Sequence, residues 1–159
     1  MSGVRTKMSG PLTSREMPNQ MANKNTTTDG TSVQAQRFIW NDELLDAAAD
    51  AIAIYTKHSR GLETLRTTTL FGIQAITQSD QRHVIRLLQQ KPPKWWRGNI
   101  AVYISLKRHE LRLLQETREL LRNLGDRKYS NGDVVALSLL AIGHPLLRLP
   151  LPCQQKIIE

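Results

Sequence analysis

Two stretches of strict alternation stand out in the pattern of apolar and polar positions. In Ser32–Trp40, Phe38 and Trp40 fall on one side of an extended chain, Arg37 and Ile39 on the other. In Asn99–Leu106, Ile100, Val102, Ile104 and Leu106 share one face, while Asn99, Ala101, Tyr103 and Ser105 share the opposite one. Each stretch reads as a short strand. A lone strand of about seven residues cannot pair its own backbone edges. The two are therefore expected to pair with each other, antiparallel, with helices packed behind them.

After each strand a helical period takes over. Asn41 reads as an N-cap with Asp42 and Glu43 in the first turn, opening a helix to about His58. Its buried stripe is Leu44, Leu45, Ala48, Ala51, Ile52 and Tyr55, and Ser59, Arg60 and Gly61 end it. Glu63 to Ile76 follows as a second helix with Leu65, Leu70, Ile73 and Ile76 inward. Thr67, Thr68 and Thr69 are weak helix formers, so packing must hold that segment. A short helix, Ser79 to Gln90, is capped by Ser79, and the double proline of KPPKWWRG stops it. Beyond the second strand, Leu111, Leu114, Leu120, Leu121 and Leu124 line another helix, which Gly125 ends. Ser130, with Asp133 three residues on, caps a last helix that buries Val134, Val135, Leu137, Leu140 and Ile142. The predicted fold class is mainly α with one short two-stranded antiparallel β-ribbon.

Residues 1–31 carry neither period and read as a disordered tail. Residues 32–143 form the folded domain, and residues 144–159 an extended C-terminal tail. Within the domain the order strand, helix, turn, helix occurs twice, over 32–77 and 99–143, joined by a connector at 78–98. Sliding one unit onto the other by about 67 residues brings Leu44 onto Leu111, Leu70 onto Leu137 and Ile73 onto Leu140.

Charge narrows the range of partners. A formal +8 and a pI near 10.1 over 159 residues suggest a polyanion, most often nucleic acid and less often a membrane surface, against the plainer reading of a merely basic protein. Arg5, Lys7, Arg15 and Lys24 make the N-terminal tail either an arm for DNA phosphates or a partner protein, or an ordinary basic terminus. Trp95 and Trp96, beside Lys94 and Arg97, either stack on bases or pack over the core, and packing is the commoner use. Glu110, Glu116 and Glu119, among Arg108, Arg112, Arg118 and Arg122, read as a solvated, ion-paired helix face. The single Cys153 excludes an internal disulfide and a cysteine-based zinc site. No run of about 18 apolar residues is present, and the N-terminus lacks the apolar core of a secretory signal, so a cytoplasmic, membrane-free protein is expected. His58, His83, His109 and His144 have no metal-binding spacing, and no phosphate-loop or nucleophile-elbow motif occurs. Neither enzymatic activity, a catalytic residue, a metal nor a cofactor is expected.

The duplicated strand–helix–helix order over about Ser32 to Gly143 resembles the ribbon-helix-helix superfamily, the Arc and MetJ class of DNA-binding proteins. Members are normally homodimers with one strand and two helices per chain. The tandem layout is similar to the single-chain, two-copy forms among relaxosome accessory proteins of conjugative and tumour-inducing plasmids. The resemblance implies a monomeric, fused pseudo-dimer that reads double-stranded DNA with its ribbon in the major groove, about 12 Å wide. The implied base contacts are Arg37 and Ile39, with Ala35 beside them, from the first strand, and Asn99, Ala101, Tyr103 and Ser105 from the second. It also implies phosphate anchoring at the start of each second helix, by Arg60, Gly61, Thr64 and Arg66 and by Lys128, Ser130, Asn131 and Gly132. Because the halves differ, the DNA site should be asymmetric. Relaxosome, conjugation or partition accessory factor and transcriptional repressor are the implied roles, with other relaxosome or partition proteins as further partners. The competing reading is a helical interaction module whose basic surface binds an acidic protein.

Overall fold

The computed structural model describes residues 32–145, 147, 149 and 150. The N-terminal tail at 1–31, Cys153 and the rest of 151–159 lie outside them. Among the described residues five helices stand behind one two-stranded antiparallel sheet. Strand β1, Val33–Trp40, pairs with β2, Ile100–Lys107. Helices α1, Asp42–Ser59, and α2, Leu65–Gln78, follow β1. Helix α3, Gln81–Gln90, leads into the connector, and α4, Arg108–Gly125, and α5, Asn131–Gly143, follow β2.

The alternation that defined the strands decides which face is buried. Phe38 and Trp40 from β1 and Ile104 and Leu106 from β2 enter the core, and Trp40 is 0% exposed. Helix α5 is apolar nearly all round, as a helix enclosed on every side must be. It packs against α1, α2, α3 and α4. Its crossing with α2 is close enough that a Cβ on Gly72 would overlap the carbonyl of Ser138. Leu147 is buried in the same core, and His58 Nε2 lies 2.9 Å from the Pro150 carbonyl, beyond the end of α5.

Several boundaries differ from the sequence reading, each for a local reason. Helix α2 starts at Leu65 rather than Glu63, because Thr64 caps it: its hydroxyl accepts from Thr67 N–H at 3.2 Å and Thr67 Oγ1 accepts from Thr64 N–H at 2.9 Å. Asp80, not Ser79, caps α3, accepting from Arg82 N–H at 2.9 Å, while the Ser79 hydroxyl donates back to the Ala75 carbonyl. The left-handed residue closing α4 is Asp126 at φ 52°, not Gly125, which instead leaves room for the Tyr129 hydroxyl. Leu45 is exposed rather than buried, one position outside the stripe led by Leu44. Leu70 is only half-buried, its expected place taken by Phe71 with Thr68 and Thr69, both fully buried. Glu110 is not on the solvated face: it is 5% exposed.

Candidate functional site

The outward face of the ribbon is built by the same period that built the core. Register pairs Val33 with Lys107, Ala35 with Ser105, Arg37 with Tyr103 and Ile39 with Ala101. All but the half-buried Ile39 are exposed, and Tyr103 is 62% exposed. Eight residues per strand at about 3.3 Å each give a ridge roughly 26 Å long. Arg37 and Tyr103 sit opposite each other near its centre, and among the described residues the Arg37 side chain has neither an ion pair nor a hydrogen bond. The ridge therefore offers a guanidinium, a phenol, a hydroxyl and small apolar groups, the groups that read base edges. Asn99 lies in a bend just before β2, exposed at the end of the ridge rather than on the strand.

Each end of the ribbon is tied to the start of a helix. At the Val33/Lys107 end, Lys107 N–H donates to Glu110 Oε2 at 2.7 Å, which also caps α4. Arg66, in the first turn of α2, grips the same carboxylate with Nε at 3.1 Å and with Nη2. Burial by itself pushes the Glu110 carboxyl up. The Arg66 hydrogen bonds, the Lys107 N–H and the charges of Arg66 and His109 outweigh it and hold the group below its ordinary value. At the Trp40/Ile100 end, Asn41 N–H donates to the Trp96 carbonyl at 2.8 Å and its Nδ2 to the Trp95 carbonyl at 2.6 Å. Trp96 Nε1 then donates to Asp133 Oδ1 at 2.8 Å, and Asp133 closes the capping box with Ser130.

The residues expected to anchor phosphates are thus not equivalent. Arg60, in the left-handed conformation at φ 58°, is exposed with Gly61 and Thr64 around the start of α2. Arg66 is engaged by Glu110 and one-third exposed. Lys128 and Ser130 are exposed, and Asn131 accepts from Arg118 Nη1 at 3.3 Å. Gly132 is buried, and the space in front of its Cα is filled by the Trp96 ring. A ligand cannot approach Gly132 from the side that the Trp96 ring occupies. Trp96 itself is buried, while Trp95 is half-buried under the Lys91 ammonium.

No family model matches the chain, and no curated protein or solved structure matches it. Function rests on geometry alone.

Sequence reasoning missed the Arg66–Glu110 pair and the role of Trp96 as a link between ribbon and α5. Glu110 was hidden by its sequence neighbours Arg108, His109 and Arg112, which make it look like one more surface charge. Its distance of three from Lys107, the spacing of a capping box, was the available signal. Among the described residues no group of three or more His, Cys, Asp or Glu is placed to hold a metal ion, and no helix is long and apolar enough to cross a membrane.

Proposed function

We propose that the chain is two ribbon-helix-helix units fused in tandem, and that its ribbon enters the major groove of double-stranded DNA to read an asymmetric site. Pairing of Arg37 with Tyr103 on an exposed antiparallel ridge carries this reading. An eight-residue two-stranded ribbon fits the groove and presents side chains that discriminate bases.

The register of the two units supports the tandem arrangement, with an offset of 66 residues rather than 67. At that spacing stand the capping residues Thr64 and Ser130, the left-handed residues Arg60 and Asp126, and the helix-crossing residues Gly72 and Ser138. Arg37 and Tyr103 are also 66 apart and pair directly. A two-fold axis brings only the positions on it onto their own counterparts, as with Arg37 and Tyr103, and pairs the others reciprocally, as Ala35 with Ser105 and Ile39 with Ala101. The same offset sets Leu44 against Glu110 rather than Leu111, and Arg66 against Gly132. The halves therefore share a frame and differ in chemistry, which suits a directional site. An accessory factor at a transfer origin or partition site, or a repressor, would use it in the same way.

Fluorescence anisotropy with labelled duplexes, over a range of salt, tests the reading. Tight binding to one fragment, with a steep salt slope and a clear gap over scrambled duplex, is the expected result. Arg37→Ala and Tyr103→Ala should each weaken specific binding by about tenfold or more while leaving the melting temperature unchanged, since both side chains are exposed. Absence of binding at low salt would overturn the DNA reading and leave the helical interaction module.

A further inference from the structure

The corner between α4 and α5 carries four cations around two adjoining hollows. One, of about 250 Å³, is lined by Arg118, Glu119, Arg122, Lys128 and Tyr129. The other, of about 400 Å³, is lined by Arg122, Asn123, Asp126, Arg127 and Lys128, so Arg122 and Lys128 belong to both. Two of the cations are held in place: Arg118 by its bond to Asn131, and Arg127 with its guanidinium 4.8 Å from the centre of the Tyr129 ring. Two acids face them. Glu119 lies 3.8 Å from Arg122 as an exposed pair, and such pairs are weak and yield readily to a stronger anion. Asp126 is exposed at the rim.

At the 66-residue offset the corner between α1 and α2 is built differently. Arg118, Arg122, Arg127 and Lys128 have Ile52, Thr56, Gly61 and Leu62 as counterparts, and Leu62 is 97% exposed. That corner keeps Lys57 and Arg60 as its exposed cations, while Arg66 there is engaged by Glu110. The first turns of the two helices also differ: Gly132 is buried beneath Trp96, while its counterpart Arg66 is one-third exposed and engaged by Glu110. The Asn41–Trp96–Asp133 chain of hydrogen bonds places the start of α5 beyond the Trp40/Ile100 end of the ribbon.

We infer that the α4–α5 corner is a one-sided clamp for the phosphate backbone of duplex DNA, in which Arg118, Arg122 and Lys128 replace the main-chain anchor that Trp96 covers. The inference rests on the DNA reading above. The ribbon sets the register on the duplex, and this corner extends the footprint past the Ile39/Ala101 end only. It thereby fixes which way the protein points along the site.

Arg122→Gln/Lys128→Gln removes two exposed cations, and adding Arg118→Gln removes a third. Arg82→Gln/Arg86→Gln on α3 is the charge-matched control. Each is titrated into a duplex selected from a random pool by the unaltered protein, at several salt concentrations, and mapped by hydroxyl-radical footprinting. Removing one phosphate-bound cation should lower the salt slope by about 0.9, so the double variant should drop by roughly 2 and the triple by nearly 3. Protection should retract on one side of the site alone, and the control should match the unaltered protein. Should the double variant keep both the slope and the full footprint, the clamp is refuted while the ribbon reading stands. Retraction on both sides would also refute it. If the unaltered protein selects and binds no duplex, the DNA reading fails first and the clamp with it. The double variant alters only exposed side chains, so an unchanged melting temperature separates a weakened anchor from a damaged fold.

Discussion

Replacing Arg66 by methionine keeps much of the side-chain packing and removes the charge. It leaves the Glu110 carboxylate, 5% exposed, with the Lys107 N–H and a distant His109 as its remaining partners. Breaking a buried pair from one side costs about 3–5 kcal/mol. Arg66 is itself one-third exposed, so water can reach the vacated side, and the expected loss is roughly 2–4 kcal/mol. Arg66→Met/Glu110→Leu removes both charges together and fills the site with an apolar side chain. What remains missing is the α4 cap, about 1 kcal/mol. The double variant should therefore be more stable than Arg66→Met alone, with a coupling energy of about 2 kcal/mol. Equilibrium urea unfolding, with the slope checked for constancy, measures all four corners of the cycle. A second readout is pH. Because the Glu110 carboxyl is lowered, its contribution is full above its ordinary value of 4.5 and fades as pH falls through the folded-state value. Arg66→Met removes the Arg66 hydrogen bonds and charge that contribute to that lowering, so the gap between parent and variant should narrow below about pH 4.5. If the single losses simply add, or the gap widens in acid, Glu110 is not held as described.

Three further expectations follow from single sites. Thr68 is fully buried and its hydroxyl has no hydrogen-bond partner among the described residues, so Thr68→Val should stabilise by about 1 kcal/mol in the same unfolding assay. Gly72→Ala drives a methyl into the Ser138 backbone and should cost about 2–3 kcal/mol, because two packed helices must separate. Asp133→Asn weakens both the Ser130 capping box and the Trp96 bond. It should lower stability by about 1–2 kcal/mol and change tryptophan emission, while Asp133→Glu should restore neither fully.

Much of this fold was legible because its signals are local and redundant. Alternation alone placed Phe38, Trp40, Ile104 and Leu106 inward and Arg37 and Tyr103 outward, since a strand has only two faces. Asn41 and Ser130 announced their helices through capping chemistry that needs no tertiary partner. What stayed hidden depends on residues far apart in the chain. Glu110 looks like a surface acid until Arg66 is brought across from α2, 44 positions away. Gly132 looks like an open approach until Trp96 arrives from the connector. The threonine run is the intermediate case: poor propensity pointed to tertiary support, and Thr68 and Thr69 are indeed fully enclosed.

Both strands of the ribbon belong to one polypeptide, joined through the connector before β2. Two separate chains would form such a ribbon only above a concentration set by their dissociation constant, and would melt at temperatures that rise with protein concentration. A tether replaces that bulk concentration with a fixed local one. Pairing of two strands of one chain is thus a first-order event, insensitive to dilution. The same tether guarantees that each ribbon contains one β1 and one β2, so a substitution in either strand never has to be compatible with a copy of itself.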